Sequence, residues 1–456
     1  MSECTAHGVT LLREMPCGSG VPETSATRPP SQFDEALPEF ADDYAEAEYL
    51  LCGTASCYAG PATGPATVVS DGHRYATRVL ARYPNDASRF SGRVTVEPFN
   101  TTYGLDRDAL WLHVASLLQA QGDAWIGITV RTTSATQLKG YDPQRYADVE
   151  IPSNDLAWDL LRAIGTVLKE GGPHSPLRHL PVRHVYLGGY SQSGVDTATF
   201  AAAFGALTRT RDGRPAYDGF FPACHAASLT PLAVGEGLPR FEYAPMPPTG
   251  VPVIEVQPQT DVEGFTFEEF VNPGSASVRR EDGDAAGDRF RLYEIAGAPH
   301  AATIPGCDGN GSSFPMSAFV RAALRNLFRW AEDGVAPPTA PRIALNVDDV
   351  VAEAAVDRFG NAIGGVPSPF LDVPIARYEA HSTPGPLCKL AGREVTLPYE
   401  LLAERYRDVQ TYLAEFTISL DEAVRAGFLL KDDRAALLKV QAAKAHTAFT
   451  RQTAPA

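Results

Sequence analysis

The sequence of 456 residues has no apolar run that approaches the ~20 residues of a membrane-spanning helix. Its first residues, Met1 to His7, carry neither a basic nor an apolar segment, so we expect no signal peptide. Basic residues are also few, because 39 Lys and Arg stand against 55 Asp and Glu, a net charge of −16. Nucleic acids and anionic membranes bind basic surfaces, so neither is an expected partner.

Cysteine is sparse and odd in number. Seven cysteines are spread along the chain, and Cys52 and Cys57 lie close together without the second cluster that a zinc site needs. This usage is typical of mostly reduced thiols, so a cytoplasmic location is expected. A phosphate-binding glycine loop and internal repeats are also missing. We therefore expect no metal and no cofactor.

What is present indicates an α/β protein of three parts. Residues 1–42, rich in Pro, Ser, Thr and Glu, are expected to form a partly disordered N-terminal arm. Strand and helix patterns alternate over residues 43–334, which predicts a mostly parallel central sheet flanked by helices. Residues 335–456 begin as a Pro- and Gly-rich strap and become helical from about 398. Their apolar faces must bury against something, so we expect them to fold back on the core near the pocket.

The most informative stretch runs from His184 to Gly194. An apolar strand pattern ends in the segment Gly-Tyr-Ser-Gln-Ser-Gly, with Ser191 at the turn, and a helix pattern of small residues follows. Strand, sharp turn and helix is the setting of a nucleophile elbow, in which Gly189 and Ser193 supply the small residues beside the serine. The alternative is a glycine-rich loop with an incidental serine, and Ser193 is the next candidate nucleophile.

A catalytic histidine is sought after Ser191, where four occur: His225, His300, His381 and His446. His300 follows a strand pattern on a Gly/Pro loop, where catalytic groups collect. His225 also follows a strand pattern and is the main rival, but it precedes every plausible acid. His381 lies in a Pro/Gly loop, and His446 lies near the end of a helix pattern, where a positive charge is structurally favourable. We therefore expect His300 to be the base.

The acid is expected between serine and histidine. Residues 251–257 form a strand pattern, and residues 258–264 form the loop after it. Asp261 is the first carboxylate of this loop and is placed to accept the proton-bearing nitrogen of His300. Glu263, two residues on, has the same chemistry. Asp261 is preferred, while two solvated loop carboxylates remain the alternative.

An oxyanion hole needs two backbone donors. The first is the N–H of Gln192, which follows the nucleophile. The second should lie where the strand pattern of residues 93–98 leaves into a polar turn, at Asn100 or Thr101. The sequence does not choose between these two residues.

Three further residues are candidates for the substrate pocket. Tyr190 adjoins the nucleophile, and Tyr141 lies in the long segment 131–154 between a strand and a helix pattern. Glu97 stands at the end of a buried strand, an uncommon place for a charge, where it would support the oxyanion loop or contact His300. A purely structural role for each is the alternative.

The order Ser191, Asp261, His300 resembles the α/β-hydrolase superfamily. The finer resemblance is to the bacterial and fungal group labelled "alpha/beta hydrolase domain-containing protein", from about Asp43 to the C-terminal helices. The segments that carry it are Val96–Asn100, Lys139–Tyr146, Gly189–Gly194, Gly360–Val366 and Asp372–Tyr378. The resemblance implies the α/β-hydrolase fold, the triad and carboxylic-ester hydrolysis.

The expected function is that of a serine hydrolase. It would act on a carboxylic ester or lactone of a small or medium organic molecule through an acyl-enzyme on Ser191. An acyltransferase or lyase that uses the same triad on a specialised metabolite is one alternative, and a non-catalytic binding protein is another. The small-molecule ester is the expected partner, and a homo-oligomer is left open.

Overall fold

The computed structural model of the protein describes residues 9–15, 42–102, 104–234, 240–267, 270–307, 311–346 and 352–450. The chain forms two compact units. One comprises Met1–Glu255, Arg280–Phe290 and Trp330–Val335, and the other comprises Val256–Arg279, Arg291–Arg329 and Ala336–Ala456. The expected division at residues 42 and 334 stays a prediction.

Strands and helices follow one another along the chain. Up to residue 258 they are β1 (Val9–Glu14), β2 (Tyr44–Ala59), β3 (Thr67–Pro84), β4 (Arg93–Pro98), α1 (Ala109–Gln121), β5 (Ala124–Ile128), α2 (Thr132–Tyr141), α3 (Ala157–Glu170), β6 (His184–Tyr190), α4 (Gln192–Phe204), β7 (Gly219–Ala223), β8 (Ser228–Leu229), β9 (Glu242–Tyr243) and β10 (Val253–Pro258). After it come α5 (Gln259–Glu263), β11 (Phe265–Phe267), β12 (Phe270–Asn272), β13 (Gly283–Ala285), β14 (Asp288–Ile295), α6 (Met316–Asp333), β15 (Leu345–Asn346), β16 (Glu353–Ala354), α7 (Pro369–Asp372), β17 (Ala376–Glu379), β18 (Arg393–Thr396), α8 (Tyr399–Tyr406), α9 (Val409–Ala426) and α10 (Arg434–Ala448).

Ten strands form one sheet in the order β1-β2-β3-β5-β4-β6-β7-β10-β14-β13. The pairs from β5 through β4 and β6 to β7 are parallel, whereas β1, β2, β3 and β5 pair in antiparallel fashion. Strands β5 and β7 are buried at every residue, as expected for parallel strands covered on both faces. The predicted α/β class with a mostly parallel central sheet is confirmed.

Helices join the parallel strands and fix where side chains emerge. Helix α1 connects β4 to β5, and helix α4 connects β6 to β7 and contacts both of these strands. Because parallel strands end at the same edge of a sheet, the residues that follow β4, β6 and β7 lie at one edge. That edge is where a ligand is expected in an open α/β sheet.

Three local expectations differ from the structure. Val9–Glu14, part of the expected arm, pairs as an edge strand with β2, while residues 1–8 and 16–41 lie outside the described residues. The segment 131–154 contains helix α2. The expected loop at 258–264 is mostly the short helix α5, which ends at Gly264 with φ of +85°, a conformation that glycine adopts without strain.

The cysteines also depart from expectation. Cys307 and Cys388, 81 residues apart, form a disulfide within the second unit, whereas Cys52, Cys57 and Cys224 remain thiols. So wide a spacing gives no sequence signal. Structural disulfides are typical of oxidising compartments. The expected cytoplasmic location stays a prediction. In the described ranges, no helix is long and apolar enough to cross a membrane.

A buried ionic network joins β2 and β3 in the first unit. Arg78 binds Glu48 at 2.5 Å and Asp106 at 3.2 Å, and the three side chains are at most 1% exposed. Removing one member of a buried pair leaves an unpaired charge in a medium of low polarity. The network therefore stabilises the fold only while it is complete.

Arg78→Met is expected to lower the free energy of unfolding by about 3–5 kcal/mol, because it leaves the buried Asp106 without its ionic partner and Glu48 with Arg145 alone. Urea denaturation of both proteins measures the loss. Arg214→Met is the matched control, since Arg214 and its partner Asp212 are about half exposed. This control should change stability by less than about 1 kcal/mol. Equal losses in the two variants would contradict the prediction.

A chain that ends at Gly334 is expected to be insoluble or to lack cooperative unfolding. Residues 336–456 belong to the same compact unit as residues 256–279 and 291–329, so their removal exposes apolar side chains of those segments. Expression and thermal unfolding of the shortened chain test this. A soluble product that unfolds cooperatively would show that residues 335–456 are an independent addition.

Candidate active site

Ser191 lies at a strained turn between β6 and α4. Its φ is +62°, a value that L residues rarely adopt. A Cβ added at Gly189 would lie 2.1 Å from the carbonyl oxygen of Ser193, and one at Gly194 would lie 2.2 Å from that of Ala223. Only glycine fits these two positions, because strand and helix backbones nearly touch there. The turn therefore has the geometry predicted for a nucleophile elbow.

The second serine of the motif has a structural role. The Ser193 hydroxyl donates to the Tyr190 carbonyl at 3.0 Å and accepts from the Tyr190 N–H at 2.9 Å. Ser193 is fully buried. Both hydrogen bonds fasten the start of α4 to the end of β6, so they explain why serine stands where the motif more often has glycine.

Asp261 and His300 form a hydrogen-bonded pair in the second unit. The Nδ1 of His300 lies 2.7 Å from Oδ2 of Asp261, and the His300 N–H donates to the Thr260 hydroxyl at 3.0 Å. Burial acts to lower the pKa of His300, but the charge and hydrogen bond of Asp261 outweigh it, so this pKa is raised. Because Asp261 holds the Nδ1 proton, the neutral ring has its lone pair on Nε2.

The alternative acid, Glu263, pairs with a different histidine. Its Oε2 lies 2.7 Å from Nε2 of His381, and its Oε1 accepts from Gln259 at 2.8 Å and from the Ala354 N–H at 2.9 Å. Burial acts to raise the pKa of Glu263, but these hydrogen bonds and the nearby His381 lower it overall. The two candidate acids thus belong to two separate histidine–carboxylate pairs on one short helix. The partner of His381 had no sequence signal.

The rival His225 lacks the hydrogen-bonded acid that a base needs. It is buried, and its Nε2 lies 3.7 Å from Oε2 of Glu255, too far for a hydrogen bond. Neither ring nitrogen has a hydrogen-bond partner among the described residues. His446 is exposed in the last turn of α10, the position that its sequence context indicates.

The predicted oxyanion residues come together around the elbow. Asn100 donates its side-chain amide to the Tyr190 carbonyl at 3.1 Å, while its N–H is bonded to the Arg107 carbonyl at 2.9 Å. The Thr101 N–H donates to Oε1 of Gln192 at 2.8 Å. Gln192 is the first residue of α4, where a backbone N–H has no partner within the helix. The Asn100 N–H is bonded to a backbone carbonyl, whereas the Thr101 N–H is bonded to a side chain that can turn away, so Thr101 suits the predicted second donor better. The assignment stays a prediction.

Glu97 holds the start of helix α1. Its carboxylate accepts from the N–H groups of Leu110 and Trp111, at 2.6 and 3.1 Å, and from the Trp125 indole at 3.0 Å. Complete burial is the main reason that the pKa of Glu97 rises to about 8. These hydrogen bonds explain why a carboxylate is tolerated at the end of a buried strand. Its role in a pocket stays a prediction.

The two tyrosines expected at the pocket differ in exposure. Tyr190 is buried and stacks on His113 with ring centroids 4.2 Å apart, whereas Tyr141, at the end of α2, is 39% exposed. Their contact with a substrate stays a prediction. Within the described ranges, no group of three or more His, Cys, Asp or Glu is placed to hold a metal ion.

Several solved structures are similar to parts of this chain. A serine hydrolase without a lid from Xanthomonas campestris is 13% identical and covers 57% of this chain and 86% of its own, with a TM-score of 0.29. The rice cell wall degrading esterase LipA from Xanthomonas oryzae is 13% identical and covers 50% and 55%, with a TM-score of 0.28. Brefeldin A esterase, a bacterial homologue of human hormone-sensitive lipase, is 16% identical and covers 41% and 42%, with a TM-score of 0.23.

No curated protein matches the sequence. The family described as "Alpha/beta hydrolase domain" does match, over residues 14–439. This match takes in the ten-stranded sheet from its second strand onward, the elbow at Ser191 and the Asp261–His300 pair. The chain therefore belongs to the alpha/beta hydrolase domain family.

Proposed function

We propose that this protein is a serine hydrolase that cleaves a carboxylic ester or lactone of a small or medium organic molecule. The observation that carries the proposal is the presence of both a serine on a strained strand–helix turn and a histidine whose Nδ1 is held by a buried carboxylate. The carboxylate orients the ring and directs its lone pair to Nε2, the atom that would take a proton. A binding protein has no need for either feature.

In the proposed reaction, His300 removes the proton of the Ser191 hydroxyl as its oxygen attacks the ester carbonyl carbon. The N–H groups of Gln192 and Thr101 stabilise the oxyanion of the tetrahedral intermediate. His300 then gives the proton to the leaving alcohol, and an acyl-serine remains. Water, deprotonated by the same histidine, attacks the acyl carbon, so that the acid is released and Ser191 regains its proton. Asp261 stabilises the imidazolium in both halves of the reaction.

Ser191→Ala is expected to abolish labelling by a fluorophosphonate probe and to lower ester turnover roughly a million-fold, because no nucleophile remains. Intact-mass analysis counts the adducts, and p-nitrophenyl acetate measures turnover. Ser193→Ala is the matched control, since its hydroxyl is bonded to the Tyr190 backbone, and it should keep a single adduct. Labelling that survives in Ser191→Ala would contradict the proposal. A labelled protein that turns over no ester would favour acyl transfer or lyase chemistry.

Asp261→Asn is expected to lower kcat about ten-thousand-fold, because it removes the carboxylate that orients the His300 ring and stabilises its protonated form. It should also move the acid limb of kcat/KM to lower pH. His300 must be neutral to act as a base, so activity rises as pH passes its pKa, which Asp261 holds above the ordinary histidine value. Without Asp261, burial remains and lowers this pKa. A pH–rate profile of both proteins tests the sign of the shift.

Glu263→Gln is the matched comparison for the acid. Glu263 binds His381 and the Ala354 N–H, so the change should disturb packing while the acid limb of the pH–rate profile stays in place. We expect kcat to fall less than about tenfold, the scale of one hydrogen bond. A larger kcat loss in Glu263→Gln than in Asp261→Asn would reassign the acid.

A further inference from the structure

The preferred oxyanion donor of the loop after β4 is already occupied. The Thr101 N–H points at Oε1 of Gln192, 2.8 Å away, and the Thr101 hydroxyl lies 3.3 Å from the same oxygen. An amide oxygen in this position mimics the carbonyl oxygen of a bound ester. A backbone N–H makes one strong hydrogen bond, so it cannot serve Gln192 and a substrate oxyanion together.

The other end of the Gln192 side chain is anchored. Its Nε2 donates to Oδ2 of Asp196 at 2.6 Å, one helical turn further along α4. Asp196 is buried, and its second carboxylate oxygen is bound by Arg131, whose guanidinium also reaches the Asn154 carbonyl at 3.5 Å. Arg131 and Asn154 are the two ends of the segment 131–154. A continuous chain of hydrogen bonds therefore runs from that segment to the Thr101 donor.

We propose that the Gln192 side chain is a displaceable cap on the oxyanion hole. In the resting protein, Oε1 of Gln192 accepts the hydrogen bond of the Thr101 N–H. When substrate binds, the Gln192 side chain turns away, and the Thr101 N–H becomes the second oxyanion donor beside the backbone N–H of Gln192. Asp196 and Arg131 hold the cap in place. Gln192 thus has two opposed parts, because its backbone stabilises the oxyanion while its side chain competes with it. This inference rests on the proposed serine-hydrolase function.

The size of the effect follows from the bond that must break. One ordinary hydrogen bond is worth about two- to tenfold in an equilibrium. Gln192 and Thr101 are only half-buried, so the displaced amide can turn toward water. If Gln192 instead supported the loop, its loss would lower the rate. Removing the Gln192 acceptor is therefore expected to raise the reaction rate if the side chain is a cap and to lower the rate if it supports the loop.

The test measures the second-order rate of fluorophosphonate labelling of Ser191 in the full-length protein, because the phosphoryl oxygen enters the same hole. Gln192→Met keeps the length of the side chain without its acceptor, and it should label about two- to tenfold faster than wild type. The matched control is Gln410→Met on an exposed position of α9, which should not change the rate. An unchanged rate, a slower rate, or the same increase in Gln410→Met each overturns the cap.

A crystal structure of the wild-type adduct is the second measurement. The phosphoryl oxygen should lie within about 3.2 Å of the Gln192 and Thr101 nitrogens, with Oε1 of Gln192 turned away. An adduct in which Oε1 still accepts from Thr101 overturns the cap and leaves the proposed function standing. Failure of the probe to label Ser191 at all overturns both.

Discussion

The close approach of helix α4 to strands β6 and β7 is the constraint on which the candidate site depends. At this crossing the backbones leave no room for a Cβ at Gly189 or Gly194, and the Ser191 N–H bonds the Ala223 carbonyl at 3.0 Å. The turn must therefore be tight, and Ser191 must take a positive φ. The same crossing places the Gln192 side chain beside Thr101, so one packing contact positions both the proposed nucleophile and the proposed oxyanion loop.

In the second unit, the five-residue helix α5 has a comparable role, because its side chains hold several segments by hydrogen bonds. Gln259 accepts the Gly297 N–H, Thr260 bonds both His300 and the Ala380 carbonyl, and Glu263 binds His381. The histidine loop and residues 380–381 are thus fastened to the helix that carries Asp261. A helix this short has little stability of its own, so these side-chain bonds position Asp261 more than helix propensity does.

The fold was predictable because its signals are local, and the Asp261–His300 pair, although 39 residues apart, was predictable from the order of serine, acid and histidine along the chain. Burial of β5 and β7 on both faces shows as unbroken apolar runs, and the elbow shows as small residues around Ser191. What the sequence hides is pairing over distance. Cys307 with Cys388, His381 with Glu263, and Arg78 with Glu48 and Asp106 join residues whose spacing follows no period. Gln192 and Asp196 lie at the i, i+4 spacing of a helix, but their role depends on Thr101, which is 91 residues away from Gln192.

Backbone strain gives independent support for the importance of the edge at which β6 and β7 end. Among the described residues, five non-glycine residues have positive φ, and four of them are Ser191, Cys224, Ala226 and Ala227. Each such conformation costs of order 1–3 kcal/mol and persists only where surrounding contacts fix it. Here the contacts include the Ser191 N–H to the Ala223 carbonyl and the Ser228 N–H to the His225 carbonyl. Strained backbone beside Ser191 lowers the stability of the fold, so a packing advantage does not explain it. The need to place particular side chains at this edge of the sheet explains it better.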